Sequence, residues 1–392
     1  MIVGVVKESY PGERRVALTP NVLPSLAKAG VETVVEAGAG AAAGYRDAEY
    51  VEKGSRVVAE RAEVFRVADV VAQVRGLGAN PERGREDLGL LRRGQVLIAT
   101  FEPLTALDQV KAVADRGVTL FALELLPRIT RAQGMDVLSS MANIAGYKAV
   151  LLAASQAPRL FPMMMTAAGT IPPARVFVIG AGVAGLQAIA TAKRLGALVQ
   201  AYDIRAAVRE QIESLGAKFV HIPIEHAEGA GGYARAMDQE SYRRQRELMA
   251  TVVSQSDVVI TTAAVPGAKP PLLVTADMVR SMPWGSVIVD LAARSGQPGG
   301  NCELTRADET IESEGVFIHG PTNLPSSVPR TSSPLFAKNL AAFVCHVLEN
   351  GRLNLDRDDE ILRQTLTCAN GEVVHPLVKE RLGDLVSREG NS

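Results

Sequence analysis

The sequence predicts an α/β protein made of two doubly wound parallel-sheet domains joined by long helices. Three observations lead there. Apolar strand-like runs alternate with helix-like stretches along the chain, the pattern of parallel sheets crossed by helices. A length of 392 residues exceeds what one hydrophobic core usually organises. Finally, an apolar strand, a glycine-rich turn and an apolar-periodic helix succeed one another from residue 175, after a first set of strands is already complete.

In chain order, "MIVGVV" (1–6) reads as a buried strand. "TPNVLPSLAKAG" follows as a helix, with Thr19 as N-cap, Pro20 at its first position and Gly30 past its end. "VETVVEAGAG" (31–40), "VADVVAQV" (67–74), "GQVLIATF" (94–101) and "VTLFALELL" (118–126) are further strands of this unit. A long helix is expected from Asp136, a good N-cap type. Leu138, Met141, Ala145, Ala149 and Leu152 recur at intervals of 3, 4, 4 and 3, giving one apolar stripe. The second unit opens at "PPARVFVIGAGVAGLQAIATAKRLGALVQAYDIR" and runs through "AKFVHI", "DVVITTAAVPG" and "GSVIVDLAA" to "GVFIHG" near 320. The tail, "SSPLFAKNLAAFVCHVLENG", is a helix starting from a Ser-Ser-Pro cap region and expected to pack back on the first unit. The expected domains are therefore 1–136 with 325–392, and 137–324. Whether the halves share a fold is not visible in their sequences.

Composition removes several function classes. Lys and Arg number 42 against 43 Asp and Glu, so the net charge of −1 argues against a nucleic-acid binder. Aromatics at 4% leave little material for base-stacking platforms. The N-terminus is charged within seven residues and has no secretory leader pattern. The most apolar stretch, "KAVLLAASQAPRLFPMMMTAAG", is interrupted by Lys148, Arg159 and prolines, so no membrane insertion is expected. Three cysteines without CxxC spacing fit plain thiols in a reducing cytoplasm, and the five histidines offer no metal-site spacing.

The chemistry-bearing segment is "VFVIGAGVAGLQAIATAKRLGALVQAYD". Gly180, Gly182 and Gly185 follow a strand and open a helix whose first residue is Val183, the context that gives a G-x-G-x-x-G pattern meaning. Gly180 permits the tight turn, Gly182 lets backbone amides approach a pyrophosphate, and Gly185 lets helix and strand pack closely. The helix N-terminus then favours phosphate. The second unit is accordingly expected to be Rossmann-like. Asp203 lies 18 residues beyond Gly185, where a carboxylate accepts hydrogen bonds from a ribose diol and repels a 2′-phosphate. That favours NAD(H) over NADP(H), although Arg205 is an arginine of the kind that accepts a 2′-phosphate. Ala263 and Ala264, in "TTAAVPG" (261–267), follow another strand where a loop either packs tightly or passes a bound dinucleotide.

"LPRITRAQGMDVLSS" (126–140) crowds polar groups between the last strand of the first unit and the long helix. Together with "PMMMTAAGTIPPARVFVIGAGVAGLQAIATAKRLGA", "AGGYA", "VIVDLAA…GGNCE" and "SSPLFAKNLAAF", it resembles the NAD(H)-binding component of proton-translocating nicotinamide nucleotide transhydrogenases. The resemblance runs from residue 1 to about 376 and looks most like the separate α1 subunit of the bacterial three-subunit form. It implies two Rossmann-like domains and a homodimer that binds NAD(H) in a cleft and works with an NADP(H)-binding domain III on a β subunit. Membrane α2 and β subunits would hold the protein at the cytoplasmic face of the inner membrane. It further implies that Arg128, Asp136 and Ser139 hold the nicotinamide end of NAD(H), and that Gln133 faces the partner's nicotinamide nucleotide. Tyr233 would belong to a mobile loop folding over the site. Gly134 stands where the family usually has Ser, and "ARSGQPGGNCE" is longer than the usual connection.

The alternative is an alanine dehydrogenase, which shares the "RRVALTP"-like segment containing Arg15. Oxidising an amino acid moves protons as well as hydride and needs titratable groups at the reacting carbon. Where alanine dehydrogenases resemble one another in a lysine and a histidine, this chain has Arg75 in "AQVRGLG" and Phe101 in "ATFEPLT". An always-charged guanidinium cannot act as a base. Direct hydride transfer between two nicotinamide rings needs only positioning, worth about 7–11 kcal/mol in favourable cases. Arg15 then reads as a structural or cleft residue.

Overall fold

A computed structural model of the chain describes residues 1–221, 239–265, 267–295, 298–349, 352–356 and 358–389. Two compact units emerge, Met1–Met141 with Ser326–Ser392, and Ala142–Pro325. The first crossing between them falls inside helix α1 (Val137–Gln156).

In the first unit six parallel strands lie in the order Arg56–Val58, Glu32–Glu36, Ile2–Val5, Val70–Arg75, Val96–Thr100 and Thr119–Ala122. In chain numbering this is 3-2-1-4-5-6, the doubly wound order that reverses direction between its first and fourth strands. Val70 through Val74 are all buried, as expected of strands covered by helices on both faces. The sheet continues into two strands that the apolar runs do not predict. Leu366–Ala369 pairs antiparallel with Thr119–Ala122, and Glu372–Val373 pairs antiparallel with it in turn. Their turn is Asn370-Gly371, both at positive φ (54° and 87°). An Asn-Gly pair between apolar runs is a strong short-range hairpin signal, and "TCANGEVV" carries it.

The stretch at 19–30 also departs from expectation. Pro20–Val22 is a 3₁₀ turn and the α-helix begins at Leu23, while Thr19 makes no side-chain cap and its hydroxyl is buried without a partner. Pro24 has no N–H to bond a carbonyl four residues back, which breaks the first turn.

The second unit repeats the strand order. Lys218–Phe219, Leu198–Tyr202, Arg175–Ile179, Val258–Thr261, Val287–Asp290 and Val316–His319 are parallel neighbours, and Thr310–Ser313 closes the edge antiparallel. Helix α2 (Val183–Arg194) packs Ala188, Ile189 and Ala192 against Ala149, Val150 and Ala153 of α1. The helices approach closely at Gly146, where a Cβ would lie 2.0 Å from the Ala184 carbonyl oxygen.

Two expectations about α1 change. Its buried positions include Val137, Met141, Ile144, Ala149, Val150 and Ala153, whereas Leu138 is exposed. The helix is apolar nearly all round, so hydropathy alone does not reveal which stripe is buried. It is also, among the described residues, one helix long and apolar enough to cross a membrane by length and composition, where the sequence reading expects none. Lys148 is the one charged residue in the helix, and the apolar side chains around it outweigh it. Burial of Ala149, Val150 and Ala153 in the second core gives that apolarity a local use.

Helix α3 (Pro329–Val347) starts three residues before the expected Ser-Ser-Pro cap region, Ser332 to Pro334. Pro329 occupies its first turn, where a missing N–H costs nothing. Ser332 and Ser333 lie inside the helix and are fully buried rather than capping it.

Candidate dinucleotide-binding site

At the reversal point of the second sheet, the strand Arg175–Ile179 runs into Gly180 at φ +94°, a conformation that L side chains rarely adopt. A Cβ there would approach Thr262 Oγ1 to 2.7 Å. Gly182 is the N-cap of α2, and a Cβ on it would meet nothing within 4 Å. A Cβ on Gly185 would lie 1.8 Å from the Gly180 carbonyl oxygen. The three glycines therefore serve different needs: backbone conformation, open space and close packing. Gly182 is the one whose side the protein leaves free, and the first amides of α2, Val183 included, have no intrahelical acceptors. That combination fits an anionic pyrophosphate.

Asp203 directly follows the neighbouring strand, Leu198–Tyr202, and is 7% exposed. Its Oδ2 accepts from Ala181 N at 2.7 Å and Arg205 Nη2 at 2.8 Å. Its Oδ1 accepts from Arg205 N and Arg205 Nε, both at 2.9 Å. An ionised carboxylate has about four acceptor sites, so a ribose diol would replace part of this set while the remaining bonds keep Arg205 in place. The arginine capable of favouring a 2′-phosphate is thus tied, through both Nε and Nη2, to the acid that repels one.

The loop after Val258–Thr261 crosses this turn. Thr262 Oγ1 donates to the Gly180 carbonyl at 3.0 Å. Ala263 is held at both ends by the fully buried Asn301: its N–H donates to Oδ1 at 2.9 Å and its carbonyl accepts from Nδ2 at 2.8 Å. Ala264 is exposed. Beneath them, fully buried Asp290 accepts from Thr261 Oγ1, Ala292 N, Cys302 N and Thr305 Oγ1. Sequence reasoning misses Asn301 and Asp290; both sit in the segments that carry the resemblance, but nothing there signals what they hold. Tyr233 lies outside the described residues.

The reversal point of the first sheet is occupied differently. Glu8 accepts from the amides of Val74 (2.6 Å) and Arg75 (3.1 Å), and burial, with Glu13 nearby, pushes its carboxyl up to about 8. Glu13 receives Arg15 Nε and Nη2, both at 2.7 Å, and Arg75 Nε at 3.2 Å. Burial acts to raise Glu13, but its hydrogen bonds and charge contacts with Arg15 and Arg75 outweigh it and hold the carboxyl at about 2. Arg75 also lies 4.2 Å over the Tyr10 ring. Phe101 is fully buried, with Glu124 accepting its amide and that of Glu102. Burial raises Glu124 to about 7. These two carboxyls titrate near neutrality, which the sequence does not suggest, but both are engaged by strand-end amides.

In the loop at 126–140, Thr130–Met135 is a 3₁₀ stretch and Arg128 and Gln133 are exposed. Asp136 caps α1: Oδ1 accepts from Ser139 N at 2.9 Å and Oδ2 from Ser139 Oγ at 2.5 Å. Arg131, which the resemblance leaves without a role, pairs with Asp359 at 3.0 Å. A Cβ on Gly134 would meet nothing within 4 Å and its φ is not positive, so the fold itself does not require glycine there.

Two sheets with one doubly wound strand order, and a glycine turn with a strand-end acid at the reversal point of one, define an α/β protein of Rossmann type in both units. Residues 4–145 match the N-terminal domain of the alanine dehydrogenase/PNT family and residues 149–376 its C-terminal domain, and the chain belongs to that family. It is 46% identical over 381 residues to an NAD(P) transhydrogenase alpha-subunit protein of Rhodospirillum rubrum, covering 96% of this chain and 98% of that one. The crystal structure of a transhydrogenase from Sinorhizobium meliloti superposes with a TM-score of 0.84 at 45% identity, over 95% of this chain and 100% of that one. Alanine dehydrogenase of Bacillus subtilis is 29% identical over 388 residues, 98% of this chain and 95% of that one.

Proposed function

We propose that this chain is the NAD(H)-binding subunit of a Re/Si-specific, proton-translocating transhydrogenase and turns over only with its partner subunits. Bound NADH supplies a hydride that passes directly to NADP⁺ on domain III of a β subunit, or returns from NADPH. Gly180, Gly182, Val183 and Gly185 take the pyrophosphate, and Asp203 the ribose, beside Ala263 and Ala264. Arg128, Asp136 and Ser139 orient the nicotinamide end, Gln133 faces the partner nucleotide, and Tyr233 covers the site. Proton translocation belongs to membrane α2 and β subunits, which would hold the chain at the cytoplasmic face of the inner membrane. The exposed Leu160, Met163, Met164 and Met165 offer a surface for a second copy, consistent with a homodimer.

One observation carries the reading against an amino-acid dehydrogenase. The loop at 126–140 contains no histidine or lysine, and its one carboxylate, Asp136, is engaged as a helix cap. Such a loop orients and excludes water but does not carry a proton, which suits ring-to-ring transfer. The raised carboxyls Glu8 and Glu124 are the observation that favours the second reading, amino-acid oxidoreduction. Their backbone partners assign them to closing strand ends.

The purified chain is assayed two ways: pyruvate, ammonia and NADH on one side; the NADP(H)-binding partner chain, NADPH and an NAD⁺ analogue on the other. Reduction of the analogue with no consumption of NADH by pyruvate is expected. Turnover with pyruvate and ammonia overturns the proposal.

A further inference from the structure

The side chain that sets the loop at 126–140 comes from far along the chain. Asn339 sits in α3 and is 8% exposed. Its Nδ2 donates to the Gly134 carbonyl at 2.8 Å, and its Oδ1 accepts from Ser140 Oγ at 2.6 Å. One planar amide thereby bridges the residue after Gln133 and the residue after Ser139. The Asp136 cap lies between these two points, so the separation of Gln133 from the first turn of α1 is fixed by a single rigid group. The 3₁₀ stretch Thr130–Met135 itself buries Ala132, so the Asn339 amide is a separate anchor, at the Gly134 carbonyl.

We propose that Asn339 is a positioning residue for hydride transfer: it holds the Gly134 carbonyl and thereby places Gln133. This rests on the reading that the loop serves transfer between NAD(H) and a partner's NADP(H). Asn339 acts through Gln133 and touches no substrate. Asp at this position keeps the shape and the acceptor for Ser140 but loses the donor and turns a carboxylate toward the Gly134 carbonyl. A leucine loses both bonds.

The test is a double-mutant cycle on transfer, using the chain with its NADP(H)-binding partner chain, NADPH and an NAD⁺ analogue. NADH affinity and thermal midpoint are measured for every variant. N339D is expected to slow transfer roughly 10- to 100-fold, since small misplacements cost rates of that order, with NADH affinity changed far less. Q133A alone is expected to slow transfer similarly, and Q133A/N339D to be no slower than either, because the two act as one unit. Multiplicative losses, or a loss with N339D that tracks only the thermal midpoint, overturn the positioning role. If N339D fails to fold, Ser140→Ala, which removes only the second anchor, is read in the same cycle: an effect that vanishes in the Q133A background supports the proposal and an independent one refutes it. If Q133A itself leaves transfer unchanged, the underlying reading of the loop fails. If Q133A slows transfer and N339D does not, only the role of Asn339 fails.

Discussion

The two sheets share a strand order, yet their reversal points differ. In the second unit that point is lined by Gly180, Gly182 and Gly185, with open space over Gly182. In the first it is filled by Glu8, Glu13, Arg15 and Arg75: Glu13 pairs with both arginines, and Glu8 accepts from the strand-end amides. Open α/β sheets bind ligands where the strand order reverses. A shared fold therefore supplies two places for a ligand, and local side chains decide which remains available. Glycine keeps one open, whereas an internal carboxylate closes the other by taking the partners that an anionic substrate would need.

Glu13→Gln breaks the comparison from the closed side and has the largest expected effect. It removes the carboxylate that buried Arg15 and half-buried Arg75 share, which costs about 3–5 kcal/mol of stability. NADH affinity, measured well below the new thermal midpoint, is expected to stay close to that of the unaltered chain. A variant that unfolds normally but no longer binds NADH would make the first reversal point part of the dinucleotide site. Gly182→Ala sharpens the comparison from the open side with a smaller effect. Its Cβ meets no protein atom within 4 Å, so the thermal midpoint should hold. NADH affinity should fall about tenfold or more, a difference of about 1.4 kcal/mol, because the backbone can no longer approach the pyrophosphate closely. Equal affinity by calorimetric titration would show that the space over Gly182 is not where phosphate lies.

The same contrast explains what can be read from the amino-acid order. Gly180 and Gly185 are readable because their requirement is steric and local: a positive φ in one case, a 1.8 Å backbone clash in the other. Most parallel strands are readable as short apolar runs, and the Asn370-Gly371 hairpin carries a local turn signal as well. Asn301 and Asn339 carry none. Each is one polar residue whose meaning depends on a loop distant in sequence, 38 residues away for Ala263 and 205 for Gly134. Glu8 and Glu124 look like ordinary acids until the strand ends they close are known. The Asp203–Arg205 pair is visible as two residues of opposed implication. Only their geometry shows that one neutralises the other.

The central claim is that this chain's own nucleotide is NAD(H), selected by Asp203 while Arg205 is held against it. Titrating the purified chain with NADH and with NADPH tests this most directly. The account predicts NADH tighter by at least about tenfold, or 1.4 kcal/mol. Comparable affinity for both, with Arg205 released onto the 2′-phosphate, would contradict it.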